Sequence, residues 1–293
     1  MTTHNLTAVQ NFNGDAGATI FWTLTGWVHY ERLLAAWVAQ GLNPADLPDL
    51  PTPEKRLGRA VGQVSELRRL ARPVERRGHW AIVLESVEGE GDAARVVHTQ
   101  SLTVRIVAGA PEYKHTGDQS LALSIAIADE YLRRDSYLHR DDISLWLSKV
   151  INSLHGTPLR PKGGMYYLLP CHVEHWRKVC TALEASGAGS CYTIPTLRDS
   201  QEATRAVLDA LVRDVSDTAS DYAEKVHSGT LGGRALRARV KDCDALLERI
   251  AAYEGLLGGA VDVLRARVVT VQDTALAAAF AAEAETMTEP AAE

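Results

Sequence analysis

The apolar positions of this chain follow two rhythms, which change over near Asp199. Downstream, apolar residues recur every three or four positions. Val207, Leu211, Val215 and Tyr222 form one seam. Leu236, Val240, Cys243, Leu247, Ile250, Tyr253 and Leu257 form a second, and Val261, Leu264, Val268 and Val271 a third, with breaks at Ser228-Gly229 and Gly258-Gly259. Stripes of this period belong to helices that bury one face, so residues 199–280 are predicted to form a helical hairpin or coiled-coil-like arm. Residues 281–293, with Glu283, Glu285, Glu289 and Glu293 and no basic residue, are expected to be a disordered acidic tail.

Upstream, strand and helix patterns alternate. Residues 1–17 are polar, lack periodicity and are expected to be disordered. A β-prone run over 18–25 ends at Gly26, and a helix is predicted over 27–40, with Trp27, Tyr30, Leu33 or Leu34, Trp37 and Val38 on its apolar face and Gly41 after its end. Thr52, Pro53 and Glu54 suit a helix N-terminus, so a helix is predicted over 53–64 that buries Leu57, Val61 and Val64 and turns Arg56, Arg59, Arg68 and Arg69 to solvent. Residues 80–87 and 95–107 read as a hairpin. A helix over 120–133 is expected to bury Leu121, Ile125, Ile127 and Tyr131. Next come an amphipathic helix over 141–153, a hairpin over 157–170 turning at Gly163-Gly164, a helix over 172–185 and a strand over 191–194.

Charge sharpens one part of this pattern. The net charge of −6 argues against a uniformly basic surface, but the charge is segregated. Residues 53–79 carry eight Lys and Arg against Glu54, Glu66 and Glu75, and residues 139–180 carry six against Asp141, Asp142 and Glu174. Each basic stretch is a helix followed by a hairpin with Arg-Pro ahead of a glycine-bearing turn: Arg72-Pro73 before Gly78, and Arg160-Pro161 before Gly163.

The repeated order of strand, helix, link, helix and hairpin over residues 18–170 resembles the winged-helix variant of helix-turn-helix proteins. That resemblance implies a major-groove helix and a hairpin wing on the phosphates, with Arg56, Arg59 and Lys149 on the helices and Arg72, Arg76, Arg77, Arg160 and Lys162 on the wings as contacts. Asp141-Asp142 departs from it, since two carboxylates repel phosphate at the start of a reading helix. Basic turns are also common as solvated loops, so the charge speaks for nucleic acid only where it gathers on one face. Trp80, Tyr166 and Tyr167 read as strand packing rather than base-stacking residues. In general character the chain is similar to accessory proteins carried by phages and plasmids.

Other chemistry finds little support. Cys171, His172, His175 and Cys191 make a metal-like grouping, with the histidines one turn apart, but paired Cys-x-x-Cys spacing is missing, and no metal is assigned. Gly89-Glu90-Gly91-Asp92-Ala93-Ala94 mimics a dinucleotide fingerprint among carboxylates with no helix to follow, and no cofactor is assigned. His139-Arg140-Asp141 lacks the rest of a kinase signature, and no phosphate-binding loop or nucleophile elbow occurs. Catalytic residues are not assigned, although a triad built from distant positions leaves no local trace. The four cysteines suit a reducing compartment, and neither a leader pattern nor an apolar run near ~18 residues is found, so a cytoplasmic protein without a membrane span is expected.

The expected fold class is α+β: two winged-helix-like modules, 18–110 and 111–198, then the helical arm. The expected function is a non-enzymatic nucleic-acid-binding accessory protein. The alternative is a structural or adaptor protein that self-assembles, or holds a protein partner, through the C-terminal helices.

Overall fold

The computed structural model describes residues 15–64, 69–74, 78–89, 94–116, 120–161, 164–197, 200–257 and 261–288. It is a mixed α+β structure that divides into two compact units. The meander unit comprises Leu24–Trp146 and Ala182–Ala188; the bundle unit comprises Met1–Thr23, Leu147–Thr181 and Gly189–Glu293.

The meander unit is built on an antiparallel sheet of β3 (Arg69–Pro73), β4 (His79–Glu88), β5 (Arg95–Val107) and β6 (Ala110–His115), in that order. Strand β6 was not anticipated from the residue pattern. Its register follows from the turn at Ala108 and Gly109, both at positive φ (50° and 82°), which is the geometry of a two-residue hairpin loop. Helices α2 (Pro53–Val64) and α3 (Ser120–Ser136) cover one face. Leu57, Ala60 and Val61 meet Leu123, Ile127 and Tyr131 over Ile82, Leu102 and Val104 in one apolar cluster. Trp80 lies against α2 at Gly58, where a Cβ would come within 3.3 Å of the indole. The Tyr131 hydroxyl donates to the Gly109 carbonyl at 2.9 Å and ties α3 to the hairpin tip.

Several expectations for this unit need correction. Val38, placed on the apolar face of the first helix, is 51% exposed. Leu121 and Ile125 are not in the core: they are 63% and 53% exposed, and Leu123 takes the inward position. The run Leu121, Leu123, Ile125, Ile127 carries apolar residues on more than one side of the helix, so spacing alone does not select the buried side. The helix expected from Trp27 begins at Tyr30. Trp27–His29 is instead strand β2, paired antiparallel with β7 (Tyr137–His139), with Val28 opposite Leu138 and both buried. Each strand leads directly into a helix, α1 (Tyr30–Ala39) and α4 (Arg140–Ser153).

The bundle unit holds a second sheet, ordered β10 (Gly189–Leu197), β1 (Asp15–Leu24), β9 (Met165–Leu168), β8 (Thr157–Pro158). Its two faces differ. Ile20 is opposite Tyr166, and Trp22 stacks on Tyr166 at 5.5 Å and approaches Trp176 of α5 (Pro170–Ser186) at 6.1 Å. Tyr167 belongs to the opposite face and packs 6.1 Å from Tyr253. Gly17, at φ 128°, passes so near Tyr167 that a Cβ would lie 2.3 Å from the Leu168 carbonyl oxygen, which only glycine permits.

The C-terminal seams fold onto one another. Helices α6 (Gln201–His227), α7 (Gly233–Leu257) and α8 (Asp262–Thr288) share a core of Val207, Leu211, Val215, Cys243, Ile250, Tyr253, Val261, Leu264 and Val268. A smaller cluster joins Val226, Leu236, Ala275 and Ala279 at the other end, so consecutive helices run antiparallel. Helix α8 continues to Thr288, past Ala281 where a disordered tail was expected, because its alanine-rich last turns have high helix propensity.

Both helix-hairpin pairs expected from the sequence are present: α2 leads to β3 and β4, and α4 to β8 and β9. One strand, however, changes halves: β1, expected in the first module, pairs with the hairpin of the second, whereas β5 pairs with β4 as the expected 80–87 and 95–107 hairpin requires. Strand pairing is set by which faces can be buried, and two short segments of similar β propensity offer no local signal for choosing partners.

Candidate nucleic-acid interface

The arginines of the first predicted reading helix are held within the meander unit. Arg56 pairs with Asp135 of α3 and its guanidinium lies 4.7 Å from the Tyr131 ring centroid. Arg59 reaches Asp142 at 2.7 Å, on the first turn of α4. The expected solvent-facing basic stripe is thus partly the seam by which α2 holds α3 and α4. Asp142, one of the two carboxylates expected to repel phosphate, is neutralised by Arg59. Its neighbour Asp141 faces His139 at 3.1 Å and Arg140 at 3.7 Å.

The sheet's other face, away from α2 and α3, is different. Arg72 is opposite Ala81, Ala81 opposite Thr103, and Thr103 opposite Lys114, giving one row across all four strands. Arg72 and Lys114 are exposed, and neither has an ion-pair partner among the described residues. With strands ~4.8 Å apart, the two cations stand roughly 14 Å from one another, with the small Ala81 and Thr103 between them. The adjacent row is His79, Arg105 and Glu112, in which Arg105 is bound to Glu112 at 2.8 Å. The face therefore offers two unneutralised cations, flanked by a third that is already paired.

Residue pattern alone pointed to Arg72 and missed Lys114, Arg105 and His79. The signal was the Ala108-Gly109 turn: counting back from a two-residue loop aligns Val107 with Ala110, Arg105 with Glu112 and Thr103 with Lys114.

Arg76, Arg77 and Lys162 lie outside the described residues, as do Arg68 and residues 90–93 of the glycine-rich stretch. Lys149 and Arg160 are exposed in the bundle unit, on α4 and in the turn after β8. Tyr167 is 1% exposed and Trp80 faces α2, in keeping with packing roles.

The metal-like grouping does not assemble among the described residues. Cys171 is exposed, Cys180 and Cys191 are half-buried, Cys243 is buried, and none of the four is in a disulfide. Burial, then the nearby His155 and His175, lowers the pKa of His172, whose ring centroid is 5.9 Å from that of His155. Among the described residues no helix is long and apolar enough to cross a membrane.

Residues 16–286 match a family model described as a family of unknown function (DUF6744). No curated protein and no solved structure gives a significant match.

Proposed function

We propose, for a chain that belongs to the DUF6744 family of unknown function and so inherits no activity from it, a non-enzymatic role in binding the phosphate backbone of nucleic acid through the open sheet face of the meander unit. One observation carries this reading: the cross-strand row that begins at Arg72 and ends at Lys114, with two small residues between. Lys and Arg on an open sheet neutralise phosphates without burying an unpaired charge, and contact of this kind positions a strand without reading its bases. Arg56 and Arg59 have no part in it.

The finer architecture in this reading is a pair of winged-helix-like helix-hairpin units, with β1 pairing with the second unit's hairpin, and a coiled-coil-like arm. The recurrence of α2 with β3–β4 and of α4 with β8–β9 supports it.

The test is an electrophoretic shift with single- and double-stranded DNA and RNA at two salt concentrations. Two to three phosphate contacts predict an affinity that falls about ten- to forty-fold between 50 and 200 mM salt. Arg72→Glu with Lys114→Glu should abolish the shift. Binding indifferent to both salt and charge reversal would sink the reading.

A second reading, self-assembly through the C-terminal helices, has its own observation. Val269, Leu276 and Phe280 are 38%, 40% and 61% exposed along one stripe of α8, at spacings of seven and four. Light scattering decides it: a monomer at all concentrations, unchanged by Phe280→Ser, removes it.

A further inference from the structure

The β2–β7 ladder has one buried aliphatic face, Val28 and Leu138, and one face made entirely of rings. Trp27 is opposite His139, and His29 is opposite Tyr137. The pairs meet edge to face, with centroids 4.8 Å and 4.9 Å apart and interplanar angles of 65° and 78°. The four rings stand in two edge-to-face pairs, and each pair holds its members before any ligand arrives.

Beside the ring pairs lies a groove of about 590 Å³, lined by Trp27, Asp129, Leu132, Arg133 and Tyr137. Its volume falls within the ~300–1,000 Å³ typical of small-molecule sites. The lining is unsatisfied in three ways. Leu132 and Tyr137 leave apolar surface in water, at 65% and 40% exposure. Arg133 lies over Trp27 at 5.4 Å yet has no carboxylate partner among the described residues, whereas its neighbour Arg134, also over Trp27, is bound to Glu130 at 2.7 Å. Asp129 stands one helical turn before Arg133, and no ion pair joins them. A guanidinium with no carboxylate partner and a carboxylate with no cation partner among the described residues thus line one opening with an exposed ring.

We propose that this groove binds a planar aromatic anion of nucleotide size, with its ring stacked on the exposed Tyr137, its phosphate at Arg133 and its sugar hydroxyls donating to Asp129. The guanidinium matches phosphate in a bidentate fork, the carboxylate accepts from vicinal hydroxyls, and ring stacking tolerates any base. The site is independent of the sheet face, because Leu123, Ile127 and Tyr131 of α3 face the sheet while Asp129, Leu132 and Arg133 line the groove.

Adenosine monophosphate is the probe, followed by calorimetry and by saturation-transfer NMR on the full chain. Saturable binding is expected. Tyr137→Ala and Arg133→Ala should each weaken it about ten-fold or more, Tyr137→Phe should retain it, and adenosine should bind less tightly than the monophosphate. Both positions are exposed, and far-UV circular dichroism checks that the variants fold. The proposal is overturned if wild-type protein shows no saturable binding, if both alanine variants bind like wild type, or if inorganic phosphate displaces the nucleotide at equal concentration. Arg72→Glu with Lys114→Glu should leave adenosine monophosphate binding unchanged, so failure here and failure of the sheet-face reading are separately visible.

Discussion

Raising the pH from 10 to 12 should destabilise the bundle unit through two tyrosines. Tyr167 is 1% exposed, and burial pushes its pKa up to about 12 from an ordinary value near 10. Tyr253 is fully buried, and its pKa is raised in the same direction, by burial first. Below pH 10 both phenols are protonated whether the chain is folded or not, so neither contributes a pH dependence. Between 10 and 12 the unfolded chain releases these protons and the folded unit does not, so stability drains toward the unfolded state at up to ~1.4 kcal/mol per pH unit for each phenol. Across that window the loss at Tyr167 amounts to about 2 kcal/mol, and Tyr253 adds a loss of the same sign. Against a typical stability of roughly 5–15 kcal/mol, that is a substantial share of what holds the unit folded.

Denaturant melts at a series of pH values, with tyrosinate absorbance recorded in parallel, measure this directly. Tyr167→Phe with Tyr253→Phe should lose stability at pH 7, about 1 kcal/mol of it from the hydrogen bond that the Tyr253 hydroxyl donates to the His155 carbonyl at 3.1 Å. The same double variant should show a much flatter pH dependence from 10 to 12. Wild-type stability that stays level across that window, or an unchanged slope in the double variant, would refute the argument.

Two further outcomes separate structure from binding. Arg59→Ala removes the partner of Asp142 and should cost about 1 kcal/mol in a denaturant melt while leaving any nucleic-acid affinity unchanged, the reverse of Arg72→Glu. In α3, Ile127→Ala should cost about 2–5 kcal/mol and Ile125→Ala about 0.5 kcal/mol or less, because Ile127 is fully buried and Ile125 is 53% exposed; comparable losses at the two positions would refute the assigned face.

Much of the local structure could be read from residues alone. Thr52, Pro53 and Glu54 opened α2 at the predicted residue. The seams beyond Asp199 became helices because their three- and four-residue spacing admits no other burial. Legibility failed where two burial patterns were equally available. Leu121, Leu123, Ile125 and Ile127 could have turned either side of α3 to the sheet, and the choice was made by Ile82, Leu102 and Val104 across the interface. Trp27–His29 had helical spacing, yet pairing with Tyr137–His139, more than 100 residues away, drew it into a strand.

The candidate sites divide along the same line. Composition and local order set where basic residues occur and which segments become helices or hairpins, since capping, turn chemistry and periodicity act over a few residues. Which cations remain free was decided by tertiary structure. Arg56 and Arg59 met Asp135 and Asp142 across helix contacts, Lys114 came into line with Arg72 only through the register of four strands, and the rings of Trp27, His29, Tyr137 and His139 gathered on one ladder. Local propensity decays within a turn or two of chain, whereas charge pairing and ring stacking depend on distances that only the folded sheet and its helices establish.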